Sequence, residues 1–139
     1  MRNTVVKVLL SSVLPLLVAC AAPDGGSSPP AAEERTEVRA PIESADLLIR
    51  ESFPPQYALE IVSGLPSGCA RFSRIEVTRR DDASIDVEVW NTVPADDDVV
   101  CTMIYGTARN TVELGTDFES GRTYEVRVND EQSLSFTAQ

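Results

Sequence analysis

The sequence predicts an all-β fold, a single antiparallel sandwich of seven to eight strands, on three observations. Apolar residues recur with a period of two in short runs, turn residues interrupt those runs at regular spacing, and no helical period is present. Strands of four to eight residues with one buried face show this alternation, and two packed sheets are its usual outcome at such spacing.

The first candidate strand is Leu47-Leu48-Ile49, expected at an edge because it is short and follows a polar stretch. Tyr57, Leu59 and Ile61 then alternate with Ala58, Glu60 and Val62. Ile75 and Val77 mark a third strand. Ser84-Ile85-Asp86-Val87-Glu88-Val89 places Ile85, Val87 and Val89 on one face. Cys101/Met103/Tyr105 and Val112/Leu114 supply two more. Tyr124-Glu125-Val126-Arg127-Val128 and Leu134-Ser135-Phe136 close the chain around the turn Asn129-Asp130-Glu131-Gln132. Between runs lie Pro54-Pro55, Pro66-Ser67-Gly68, Asp81-Asp82, Pro94 to Asp98, Gly115 and Ser120-Gly121, the residue types that tight turns need. Residues 42–139 suffice for one domain with a modest core.

Two segments precede that domain. Arg2 and Lys7 lead into an apolar stretch from Val8 to Ala19, broken by Ser11, Ser12 and Pro15, and no acid appears before Asp24. Roughly a dozen apolar residues make a signal h-region, whereas a spanning helix needs about 20. The stretch ends Leu17-Val18-Ala19-Cys20, which resembles the lipobox of bacterial lipoprotein signals. That resemblance implies a signal peptide over residues 1–19, removal before Cys20, and acylation of Cys20. It places the protein in the cell envelope, lipid-anchored on the outer side of the cytoplasmic membrane or on the outer membrane; Ala21 after the cysteine resembles an outer-membrane sorting signal. An ordinary signal with an incidental cysteine, or an uncleaved anchor helix, is the weaker alternative. Residues 20–41 are rich in Ala, Pro, Gly, Ser and charge, with Val38 the one large apolar residue. Such composition buries too little surface to offset the entropy of ordering and is expected to be a disordered tether.

Composition narrows the partners. The chain carries 22 acids and 12 bases, a formal charge of −10, and no His. Removal of Arg2 and Lys7 makes the remainder more acidic and free of Lys. Phosphates are repelled by such a surface, so nucleic acid is not an expected partner. The membrane is expected as partner through the N-terminal lipid only, with an envelope protein or glycan as a further candidate.

Cys69 and Cys101 remain as an even pair once Cys20 is acylated, and in an exported protein a disulfide is the default. It closes about 32 residues and is expected to contribute roughly 3.5–4 kcal/mol in the chain-entropy model. A reactive thiol or metal site is the rival, unsupported by any His or C-x-x-C. Glu51-Ser52-Phe53-Pro54-Pro55-Gln56, Ser63-Gly64-Leu65-Pro66-Ser67-Gly68-Cys69 and Cys101-Thr102-Met103-Ile104-Tyr105-Gly106 together resemble a group of secreted bacterial domains laid out like immunoglobulin-like sandwiches. The closing pair from Gly121 to Asn129 is similar, and the likeness covers roughly residues 42–139. It implies an immunoglobulin-like fold and no activity.

Catalytic chemistry finds little support. Without His there is no Ser–His or Cys–His nucleophile and no imidazole metal site, so no enzyme, cofactor or metal is expected. Asp96-Asp97-Asp98 lacks the ligand spacing of a calcium loop and reads as a solvated turn, with Ca²⁺ the alternative. Arg71, Arg74, Arg79 and Arg80 are the basic concentration, beside Asp86 and Glu88 on the next strand. If the hairpin closes around Asp81-Asp82-Ala83, Arg74 falls opposite Trp90 and allows a cation–π contact. These four arginines and Trp90 are therefore a candidate binding patch for an acidic partner or glycan carboxylate, against the simpler reading of cross-strand ion pairs. The expected function is a non-enzymatic binding or interaction module on the envelope. The alternative is an immunoglobulin-like protease inhibitor, although the loop motifs of chagasin-type inhibitors are missing, and a secreted hydrolase comes a distant third.

Overall fold

A computed structural model describes residues 33–139; the expected signal, Cys20 and most of the tether lie outside them. Eight strands form: β1 (Arg35–Arg39), β2 (Ile42–Arg50), β3 (Gln56–Leu65), β4 (Arg71–Arg79), β5 (Ser84–Pro94), β6 (Gly106–Gly115), β7 (Thr123–Val128) and β8 (Gln132–Thr137). They make two sheets, β2-β3-β6 and a five-stranded sheet built around β5.

Alternation in the sequence becomes the core. Tyr57, Leu59 and Ile61 of β3 face Ile85, Val87 and Val89 of β5, and Val126, Val128 and Phe136 extend the same layer. Each is buried, as period-two patterning requires of the inner face of a sandwich. β2 lies at the edge of the three-stranded sheet, where the short apolar run at Leu47 to Ile49 places it.

β5 pairs antiparallel with β4 along one side. Along its other side it pairs first with β7 and then with β1. The β5–β7 pairing is parallel, from Ser84↔Glu125 to Val87↔Val128, so the sandwich is not wholly antiparallel. Between those partners the ladder of β5 is interrupted, and Asn129 fills the gap. Its side-chain oxygen accepts from Val89 N at 2.8 Å, and its amide donates to the carbonyls of Ala40 (2.7 Å) and Val89 (3.1 Å).

Two local expectations differ from the structure. Arg35–Arg39, which composition assigns to the tether, is strand β1, paired from Arg35↔Pro94 to Arg39↔Trp90. It buries almost no side chain, so apolar content gives no sign of it. Backbone ladder bonds hold it, together with the Arg35 and Arg39 head groups. Cys101, Met103 and Tyr105 are not a strand either; they lie in the connection between β5 and β6. Their alternation is genuine, but no strand pairs with them and the apolar members face solvent.

Candidate functional site

The connection at residues 95–105 carries the feature that folding does not account for. Val100 is 95% exposed, Met103 90%, Ile104 69% and Tyr105 53%. Four large apolar side chains exposed within six residues of one loop are the kind of feature that marks an interaction surface.

The loop is fixed at several points. Cys69, in the β3–β4 connection, is joined to Cys101 by a disulfide with Cα atoms 5.5 Å apart. Gly68 N donates to the Thr102 carbonyl at 2.9 Å, a backbone bond between the same two loops. At the far end the Tyr105 hydroxyl donates to the Glu43 carboxylate on β2. That bond to a carboxylate holds the phenol above its ordinary pKa, since ionising it would set two anions together. Tyr105 reaches Glu43 by lying over Gly64, where a Cβ would collide with the tyrosine ring and hydroxyl. The site glycine is thus a close-approach glycine. At the near end Asp96 accepts from Asp98 N at 2.9 Å, which makes the triple aspartate a self-satisfied turn on an exposed surface. No group of metal-ligating side chains gathers there or elsewhere among the described residues.

The arginines expected to form a patch separate onto different surroundings. Arg74 does fall opposite Trp90 in the β4–β5 register, with its guanidinium 5.2 Å from the ring centroid. Arg39 of β1 covers the same ring at 5.4 Å. Trp90 is therefore held in a cross-strand ladder between two cations. Both cations are neutralised: Arg74 by Glu37 at 3.1 Å and Glu76 at 2.6 Å, Arg39 by Glu88. Ser73 and Arg74 hydrogen-bond Glu37 and hold its carboxyl below the ordinary range; its two carboxylate partners keep Arg74 protonated more firmly still. Arg80 pairs with Asp86. Arg79 turns away to cover Phe118 at 4.4 Å and donates to the Asp117 carbonyl at 3.1 Å. Arg71 and Arg79 are in no ion pair among the described residues. For Arg74 and Arg80 the geometry is that of cross-strand ion pairing, which leaves little free positive charge beside Trp90 for an incoming carboxylate.

Concavities are shallow. A groove of about 470 Å³ runs along Ser84, Thr123, Glu125, Ser133 and Ser135, and one of about 480 Å³ lies between Arg79, Asp81, Asp82, Asp117 and Arg122. Both open broadly to solvent, which leaves a reacting group in water rather than in a medium that strengthens electrostatics.

Alternation alone does not disclose the loop, because Cys101, Met103 and Tyr105 read as strand residues. The available signal was the flank on one side, where Pro94 to Asp98 supply turn residues immediately before the run.

A model of the ORF11 beta-sandwich domain matches residues 59–138 of the chain. No curated protein and no solved structure matches it significantly.

Proposed function

Since the chain belongs to the family of ORF11 beta-sandwich domains, we propose that it is a lipid-anchored envelope protein whose sandwich is a non-enzymatic recognition module. The recognising part is the loop at residues 99–105. One observation carries this reading: Val100, Met103, Ile104 and Tyr105 are exposed on a loop that a disulfide and a backbone bond immobilise. Immobilisation lowers the entropic cost of binding, and an exposed apolar loop gains from being covered. The anchor rests on the lipobox-like Leu17-Val18-Ala19-Cys20.

Intact-mass measurement on the membrane fraction tests the anchor: acyl chains are expected on a chain beginning at Cys20, and Cys20→Ser is expected to leave an uncleaved precursor. An unmodified mature mass overturns it. The module reading predicts no hydrolase turnover from the purified protein; turnover abolished by replacing one carboxylate pair would overturn that. A pinned, protruding loop also suits protease inhibition. Capture of an envelope peptidase by the solubilised protein, lost in Met103→Asp, would move the reading there.

A further inference from the structure

The described chain begins beside the apolar loop. The Glu34 carbonyl accepts from Ala95 N at 2.9 Å, at the base of that loop. Arg35, opposite Pro94 in the β1–β5 register, donates through Nη2 to the Cys69 carbonyl at 2.6 Å. Cys69 is in turn bonded to Cys101. The first described residues therefore lie at the end of the sandwich that displays Val100, Met103, Ile104 and Tyr105. Thirteen residue steps separate Cys20 from Glu33, no more than about 45 Å at full extension.

We propose that the loop at residues 99–105 inserts its apolar side chains into the bilayer that holds Cys20, at a zwitterionic phospholipid surface. The proposal rests on the lipid-anchor reading for its proximity and on the exposed loop for its chemistry. Val100, Met103 and Ile104 offer purely apolar tips, while Tyr105 sits at the base with its hydroxyl on Glu43, the arrangement an interfacial aromatic favours. Irregular backbone does not enter hydrocarbon, so only these side chains pass the head groups and the loop stops at the acyl boundary.

Charge decides which surface. The loop holds no base, Asp96, Asp97 and Asp98 flank it, and the chain carries −10. Anionic lipid is repelled, and so is a second copy of the same acidic chain. A zwitterionic surface remains, bound through apolar area and insensitive to salt. Four side chains alone partition weakly, but a tether of this length makes insertion an intramolecular event at high effective concentration.

The test uses the acylated protein reconstituted into vesicles of phosphatidylethanolamine and phosphatidylcholine with brominated acyl chains, and Ile104→Trp as reporter. Trp90 is the only natural tryptophan, so the parent protein supplies the blank. Emission of the added indole is expected to fall to about half its value in unbrominated vesicles, as burial at the acyl boundary requires. Adding Val100→Asp and Met103→Asp is expected to restore it, and raising the salt to about 1 M to leave it unchanged. An unquenched reporter on protein that still floats with the vesicles overturns insertion and leaves the anchor standing. A blue-shifted reporter without lipid, on protein that sediments as a dimer, overturns insertion in favour of a second copy. Intact mass judges the anchor separately: with no acyl chain on Cys20 the anchor reading fails, and insertion, which needs the tether, fails with it.

Discussion

Asn129 shows how one side chain can complete a sheet. Val89 lies where β5 has left β7 and not yet met β1, so its N–H lacks a strand partner and is buried. The asparagine supplies acceptor and donors at once, and it does so from a turn in which Asn129 and Asp130 take φ of 49° and 58°. Asn tolerates that region better than most residues, so one side chain answers both the turn and the gap. Asn129→Ala is expected to cost about 2–4 kcal/mol, since it strands a buried donor and strains the turn. Asn129→Gly, which relieves only the strain, should recover a part; equal losses in urea unfolding of the two variants would show that the hydrogen bonds dominate. Two carboxylates set the acid response. Asp81 accepts from Ala83 N at 2.8 Å and Ser84 N at 2.7 Å, and it lies, like Glu37, below the ordinary range. A carboxyl lowered in the folded state stabilises above its unfolded pKa and loses that contribution as pH falls through the folded one. Stability is therefore expected to hold from about pH 7 to pH 5 and to fall below about pH 4. Combining Glu37→Gln with Asp81→Asn should flatten that fall in a pH series of unfolding midpoints.

Elements were legible in the sequence where one face is apolar. β3, β5, β7 and β8 bury their alternating residues and read directly from Tyr57, Val87, Val126 and Phe136. β1 was not legible, because Arg-Thr-Glu-Val-Arg pairs through its backbone and ion pairs and buries nothing that a hydrophobic period could register. The loop at 99–105 misled in the opposite sense, with apolar alternation but no sheet to join. The candidate site was thus half visible: its cysteines stand out as a pair, while the exposure of the side chains they hold depends on tertiary geometry. The disulfide should matter to this element twice over. Replacing Cys69 and Cys101 together by Ala is expected to lower stability by about 3–4 kcal/mol. It should also make the 95–105 connection the first site of limited proteolysis, because beyond Ala95, held to Glu34, the remaining ties to the sandwich are the Gly68–Thr102 and Tyr105–Glu43 bonds. Thiol titration of the oxidised native domain should find neither cysteine free.

At the scale of the whole domain, the two ends of the sandwich are built for different work. At the end away from the disulfide, Phe118 packs on Tyr57, Tyr124 and Phe136 at centroid distances of 4.9, 4.8 and 5.3 Å, under the Arg79 guanidinium. The Tyr124 hydroxyl accepts from Glu119 N and the Tyr57 hydroxyl from Gln139 N, so even the polar tips of this cluster tie down the connection and the chain end. Aromatic burial there closes the core, as the edge-to-face geometry of Phe118 suits. At the other end Val100 and Met103 touch almost nothing and contribute apolar area only if something covers them. The contrast predicts opposite responses to substitution. Phe118→Ala removes a half-buried ring from four aromatic and cationic neighbours and should cost about 2–3 kcal/mol, somewhat less than a fully buried phenylalanine. Met103→Asp loses no packing and should move the unfolding free energy by no more than about 0.5 kcal/mol, the range of ordinary surface changes. Denaturant midpoints of the two variants, measured beside the parent protein, check this directly. A Met103→Asp loss as large as that of Phe118→Ala would mean that the loop belongs to the core after all, and would remove the physical reason for treating it as the recognising surface.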